Sequence, residues 1–161
     1  MHIRPLTPAD LAFHLDMFYQ SLFVPEGGAL YPRDMLEEPH LRRYHQNYLQ
    51  QAGDFGLIAE VEDEKIGACW VRFFPAADPG YGFVEEAYPE LGIALVEAQR
   101  GKGIGTALMK RMFAKLQVQG VTGVSLSADT RNAGAVRLYR HLGFRETKRE
   151  DHAITMLLPF D

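Results

Sequence analysis

The stretch from Glu90 to Gln117, ELGIALVEAQRGKGIGTALMKRMFAKLQ, decides the fold. It opens with an apolar run, Leu91 to Val96, that suits a strand buried on both faces. It ends in a periodic segment, Ile104 to Val118. There Ile104, Ala107, Leu108, Met112 and Leu116 share one face, while Lys110, Arg111, Lys115 and Gln117 share another, as an amphipathic helix requires. Between the two, Gly101, Gly103 and Gly105 alternate with Lys102 and Ile104. A helix start presents unpaired backbone N–H groups and the positive end of the helix dipole. Glycines let the backbone come close to a ligand and adopt φ > 0. Arg100 and Lys102 add positive charge, the arginine with two parallel donors. Together these features predict a phosphate site. The plainer reading, a tight turn with solvated cations, does not explain why glycines and cations crowd between one strand and one helix.

Working outward, Ile3–Leu6 reads as a short strand, and Thr7-Pro8-Ala9-Asp10 as the start of a helix over 8–23. Leu11, Leu15, Phe18 and Leu22 form its buried stripe. Val24–Arg33 is a loop broken by Gly27-Gly28 and two prolines. A second helix is expected over 35–51, with Leu41, Tyr44, Tyr48 and Leu49 inside and Gly53 as its stop. Phe55–Glu62 and Ile66–Phe74 pair as a hairpin. Pro75–Gly82 is a polar connection, and 83–89 is irregular. After the central helix come a strand, Val121–Ala128, and a helix over 132–142 capped by Asn132 and stopped at Gly143. Strands at Phe144–Lys148 and Ala153–Leu158 finish the chain. The order is β-α-α-β-β-β-α-β-α-β-β. This is a mixed α/β fold, with about seven strands in a central sheet, about four flanking helices and a right-handed parallel unit at 91–128.

A length of 161 residues suits one domain over 1–161. A net charge of -4 argues against a general nucleic-acid binder. The lone Cys69 cannot form an internal disulfide, which fits a reducing compartment. It reads as a buried apolar group rather than a nucleophile. No apolar run approaches the ~18 residues of a spanning helix, and MHIRPLTPADL lacks the apolar core of a signal peptide. A cytoplasmic location without membrane attachment is therefore expected. The six histidines make no metal-ligand spacing, so no metal is expected. There is no G-x-S-x-G serine elbow.

Three phosphate-binding patterns compete for residues 99–106. A Walker loop needs lysine followed by serine or threonine, but Lys102 precedes glycine. A dinucleotide fingerprint needs G-x-G-x-x-G. Here Thr106 holds the third position, and only 32 residues follow Asp129, too few to complete a doubly wound sheet. The third pattern, [QR]-x-x-G-x-[GA], is met by Arg100-Gly101-Lys102-Gly103-Ile104-Gly105. It resembles the acetyl-CoA-binding motif of the GCN5-related N-acetyltransferase (GNAT) superfamily. A second segment, Asn132 to Phe144 (NAGAVRLYRHLGF), is similar to that family's N-x-x-[AS]-x-x-[FL]-Y-x-x-x-G-F signature and follows in the family's order.

The resemblance covers nearly the whole chain. It implies a transferase that moves an acetyl group from acetyl-CoA directly to a primary amine of a small molecule or peptide. By the same likeness Arg100, Gly101, Lys102, Gly103, Ile104, Gly105 and Thr106 hold the pyrophosphate. Ile93, Leu95 and Val96 lie on a splayed strand that offers backbone groups to the thioester and pantetheine. Asn132 and Ala135 belong to the second signature's cofactor contacts, and Tyr139 lies near the sulfur, where it can protonate the departing thiolate. From chemistry alone Tyr139 reads equally as a packed aromatic. Glu90, just before the central strand, is the first choice of general base, with Glu85 and Glu86 as alternatives. From its position alone, Glu90 could equally be a solvated strand end. The acceptor is expected near Tyr31, Arg33, Glu85 and Glu86, with Tyr44 and Tyr88 as further candidates on a helix and a loop. A homodimer is compatible with this class. Two alternatives stand beside the enzyme: a silent CoA-binding regulatory module and a dinucleotide-binding protein.

Overall fold

Alternation along the central strands builds a core on both faces of one sheet. The computed structural model describes residues 1–161. Its strands are β1 His2–Pro5, β2 Phe55–Val61, β3 Glu64–Arg72, β4 Glu90–Leu95, β5 Gly123–Asp129, β6 Arg145–Glu150 and β7 Ala153–Pro159. Its helices are α1 Leu11–Ser21, α2 Pro39–Arg42, α3 Ile104–Val118 and α4 Ala133–His141, with short 3-10 turns at Pro8–Asp10, Arg33–Glu37 and Glu97–Gln99. The sheet order is β1-β2-β3-β4-β5-β7-β6. Every neighbouring pair is antiparallel except β4 and β5. This is not the mostly parallel sheet of a dinucleotide-binding fold, so that alternative is set aside.

On one face Leu57, Cys69, Val71 and Leu91 pack under Leu108, Met109, Met112 and Leu116 of α3. On the other face Ile58, Ala68, Trp70 and Ala94 pack under Met17 and Phe18 of α1 and under Leu36, Leu41 and Tyr48. Each leucine, isoleucine, valine, methionine or phenylalanine among them, when fully buried, stabilises by about 1.5–3 kcal/mol. An exposed ion pair such as Arg33–Asp16 contributes about 0–1 kcal/mol. Packing therefore holds the helices to the sheet. At the start of α1 the capping group is Asp10 rather than the hydroxyl of Thr7. The Asp10 carboxylate is buried, accepts from the Thr7 N–H (2.8 Å), and pairs with Arg4 (2.7 Å) and Lys65 (2.8 Å).

The helix expected over 35–51 is not continuous. It is a 3-10 turn, the four-residue α2 and a run of turns. The cause is a buried ion pair. Arg72 donates to both carboxylate oxygens of Asp54 (3.0 and 2.8 Å) and to the carbonyls of Arg43 and Gln46 (both 2.9 Å). Asp54 also accepts from the N–H groups of Leu49 (2.9 Å) and Gln51 (3.2 Å). Asn47 and Leu49 adopt φ of 53° and 76°, which no helix permits. The turn still buries Leu41 and Tyr48 as the apolar spacing suggested. No helix is long and apolar enough to cross a membrane.

Candidate active site

Strands β4 and β5 share a single register position, Glu90 opposite Ser125, held by the Ser125 N–H on Pro89 O (3.0 Å). Beyond it they part. Backbone N–H groups alternate in direction along a strand. Val96 donates to Ile66 O (2.9 Å) on the β3 side, so the backbone groups of Ile93 and Leu95 face the opening. Arg100 Nε donates to Leu95 O (3.2 Å) from that same side. The Val96 N–H is therefore committed to the sheet and not available in the split.

The loop beyond β4 is built for an anion. Gly101 and Gly103 have φ of 75° and 82°, and nothing lies within 4 Å of where a side chain would project. Gly103 is the N-cap of α3. The first paired N–H of the helix is that of Ala107, on Gly103 O (3.1 Å), and the N–H groups of residues 101 to 106 have no backbone acceptor. Beyond the Arg100 contact with Leu95 O, the side chains of Arg100 and Lys102 reach only the side-chain carbonyls of Gln20 and Gln99, both at 3.5 Å. A side chain at Gly105 would project toward Ile93 and Leu95, so the loop adjoins the split. Ile104 is buried in the core and anchors the turn, with Thr106 half-buried beside it. Unpaired donors, open space and two exposed cations fit a pyrophosphate, and the parted strands fit an extended arm.

At the other end, Glu90 lies in the cleft with only 7% of its surface exposed, not solvated at a strand end. Tyr44 Oη donates to Oε2 (2.6 Å) and the Gly82 N–H to Oε1 (2.9 Å). Burial pushes its carboxyl up to about 7, against the pull of the Tyr44 and Gly82 hydrogen bonds and of Arg43. The connection between β3 and β4 wraps this pair tightly. A side chain at Gly80 would strike Glu90 Oε1 and Tyr44 Oη, and one at Gly82 would strike the Leu126–Ser127 peptide of β5. Those glycines are required by close approach.

Tyr139 lines the same cleft from α4, its ring edge-on to Phe144 at 5.9 Å. Burial pushes its hydroxyl up to about 12, with a smaller contribution from Cys69. Asn132 Oδ1 accepts from the Ala135 N–H (3.4 Å), capping α4 as expected, and both residues line the cleft. Glu90 projects on the α1 face of the sheet and Tyr139 packs against the α3 face, so the two meet only through the gap between β4 and β5.

Of the acceptor candidates, Tyr31 lines the cleft. Arg33 turns outward onto Asp16 and the Tyr19 ring. Glu85 and Glu86 are exposed, and Glu86 is spent on the Ala76 N–H (2.7 Å). None of these three reaches the cleft. Tyr44, read as an inward residue of a helix, holds the Glu90 carboxylate instead. Trp70, Met35, His40 and Tyr81 also line the space and carried no motif. Of these only Trp70 is buried, and nothing in sequence marked any of them as facing this space.

The chain belongs to the acetyltransferase (GNAT) family, whose model matches residues 16–144. Mycothiol acetyltransferase of Thermobispora bispora is 33% identical over 103 residues, 64% of this chain and 33% of that enzyme. An N-alpha-acetyltransferase of Sulfurisphaera tokodaii is 31% identical over 117 residues, 68% of this chain and 62% of that protein. The chain thus spans about a third of the first relative's length. Among solved structures, the GNAT domain of S. lividans PAT superposes with a TM-score of 0.72 at 18% identity, over 98% of this chain and 89% of that one. A putative acetyltransferase from Salmonella typhimurium, solved with its cofactor acetyl-CoA, gives 0.71 at 20% identity, over 100% of this chain and 94% of that one. These likenesses share the fold. Acetyl transfer is the chemistry of the family, and acetyl-CoA is its general donor.

Proposed function

We propose that the chain transfers an acetyl group from acetyl-CoA to a primary amine within the split between β4 and β5. One observation carries the reading: the gap joins an anion-ready loop at one end to a buried, hydrogen-bonded carboxylate at the other. Residues 100 to 106 would hold the pyrophosphate. Ile93 and Leu95 would offer backbone groups to the pantetheine arm, and Asn132 and Ala135 would lie at its thiol end. When bound, acetyl-CoA supplies the acetyl group activated as a thioester.

Glu90 takes a proton from the incoming amine. With a carboxyl near 7 it is largely ionised above neutrality yet basic enough to accept that proton. Tyr44 and the Gly82 N–H fix its orientation. The unpaired N–H groups on the open edge of β4 are donors for a carbonyl oxygen placed in the split. Tyr139, still protonated at any working pH, would hold a proton available to the departing sulfur. Among the relatives, the names mycothiol acetyltransferase and N-alpha-acetyltransferase do not select one acceptor.

Thermal melting tests the donor. Millimolar acetyl-CoA or CoA should raise the melting temperature, and NAD should not. The reverse pattern would remove the CoA reading. Tight CoA binding with no product across a broad amine panel would leave a regulatory module in place of an enzyme.

A further inference from the structure

The acceptor half of the cleft has an unusual charge census. Sixteen of the 24 residues lining the cleft are hydrophobic. Leu22, Phe23, Tyr31, Met35 and Tyr81 make the wall opposite β4 and β5. The charged lining groups are almost all engaged elsewhere. The Arg72 guanidinium is spent on Asp54 and two carbonyls. Asp129 is gripped by Arg131 through both oxygens (2.9 and 2.8 Å), and Arg131 in turn stacks on Phe23 at 5.6 Å. His40 stands beside the Glu38 carboxylate (3.6 Å). Near the cleft but outside its lining, Arg43 pairs with Asp78 (3.3 Å) and Arg33 with Asp16. Glu90 is left as the one lining carboxylate without a cationic partner.

A ligand charge taken out of water without a partner is costly. One ammonium can be met here, by Glu90. A second ammonium, as in a polyamine or aminoglycoside, finds no free carboxylate. The carboxylate of a free amino acid finds no unpaired guanidinium or ammonium in the lining; Arg43, just outside it, already faces Asp78 (3.3 Å) and keeps only a buried Nε without a partner. The space, about 420 Å³, lies low in the ~300–1,000 Å³ range of ligand sites and must also admit the acetyl-bearing end of the donor.

Resting on the acetyltransferase reading above, we infer that the acceptor is a monoamine carried on one apolar or aromatic arm about the size of a large side chain, without a neighbouring carboxylate. Two sources share this chemistry: a free arylalkylamine, and a peptide whose first residue is apolar. Acetylation forms the amide N–C bond and breaks the thioester C–S bond. Of the two protons the ammonium loses, one passes to Glu90 and one to solvent, and the thiolate is protonated from Tyr139, which Glu90 or solvent then reprotonates.

The test compares phenethylamine, a tripeptide amide beginning with phenylalanine, free phenylalanine, spermidine and kanamycin. Two readouts are taken on the full chain: kcat/KM with acetyl-CoA, and calorimetric affinity of each amine for the CoA-bound protein. Phenethylamine or the peptide amide should exceed the other three by at least ~10-fold in both, matching one unmet charge in the site. The ratio of those two names the source. Selective binding without turnover would uphold this inference and overturn the proposed activity. Preference for spermidine, kanamycin or free phenylalanine, or no binding by any amine, would overturn the inference. Ser21→Asp gives a second check, because Ser21 is exposed at the cleft wall with its hydroxyl on Phe18 O (2.6 Å). The added carboxylate should shift the ratio of 1,4-diaminobutane to phenethylamine turnover upward by ~10-fold. An unchanged ratio would contradict the charge census.

Discussion

At the residue scale, the proposed site rests on two hydroxyls and one carboxylate, each shifted by burial. Glu90 is held neutral more strongly when folded than when unfolded. Its folded value of about 7 lies above the ordinary 4.5, so the native state binds the extra proton. Stability from this group is therefore fully present below pH 4.5 and lost as pH rises through 7. Glu90→Gln should raise thermal stability at pH 8, by up to about 3 kcal/mol, and by nothing at pH 4.5 or below. Equal melting at pH 8 would mean that the buried carboxylate carries no such penalty. Tyr44→Phe removes a donor that pulls the Glu90 carboxyl down, so the ionisation seen in the rate profile should move to higher pH. An unmoved profile would show that the 2.6 Å contact does not govern proton affinity. Tyr139→Phe should lower kcat by ~10²–10⁴ while leaving CoA affinity within about threefold, as the loss of a general acid requires. A matching loss of affinity would make Tyr139 a packing residue.

At the element scale, the turn between α2 and β2 shows where local reading stops. Its apolar spacing was helical, and the residues expected inside are largely inside. Yet the backbone is bent by Arg72, which lies 18 residues beyond its partner Asp54. A long-range ion pair leaves no periodic mark in sequence. The same turn delivers Tyr44 to Glu90, so Asp54 supports the site from a distance. Asp54→Ala would leave a buried guanidinium without its partner, at a cost of about 3–5 kcal/mol. Urea unfolding should show this loss together with lower activity from the surviving folded protein. A change below about 1 kcal/mol, the scale of an exposed pair, would contradict the role given to this ion pair. The glycine loop behaves differently, because its chemistry is local. Alternating glycines, flanking cations and the helix start are all contiguous, so the proposed anion loop was legible in sequence, and the structure adds two positive φ values and a run of N–H groups without backbone acceptors. Capping of α4 by Asn132 was legible for the same reason.

At the scale of the whole molecule, the sheet is a scaffold for one defect. β4 and β5 are its only parallel pair and touch at a single register position. The element order predicted that pair. Its place just before the central strand favoured Glu90 over Glu85 and Glu86, and the fold of the 75–89 connection separates the three physically. That connection buries Glu90 while leaving the other two in solvent. It also presses Gly82 against β5 and so seals the base of the split. The wall proposed for the acceptor was the least legible part, because it is assembled from α1, two loops and α2 with no motif to mark it. The most direct test of the account is the pH dependence of kcat, at saturating amine and acetyl-CoA, for the native chain and Glu90→Gln, with CoA thiol and acetylated amine measured together. The native chain should form the two products in equal amounts, with a rate rising through one ionisation near pH 7, and the variant should lose that ionisation along with ~10²–10⁴ of the rate. A profile unchanged by the substitution, or thiol release without acetylated amine, would contradict it.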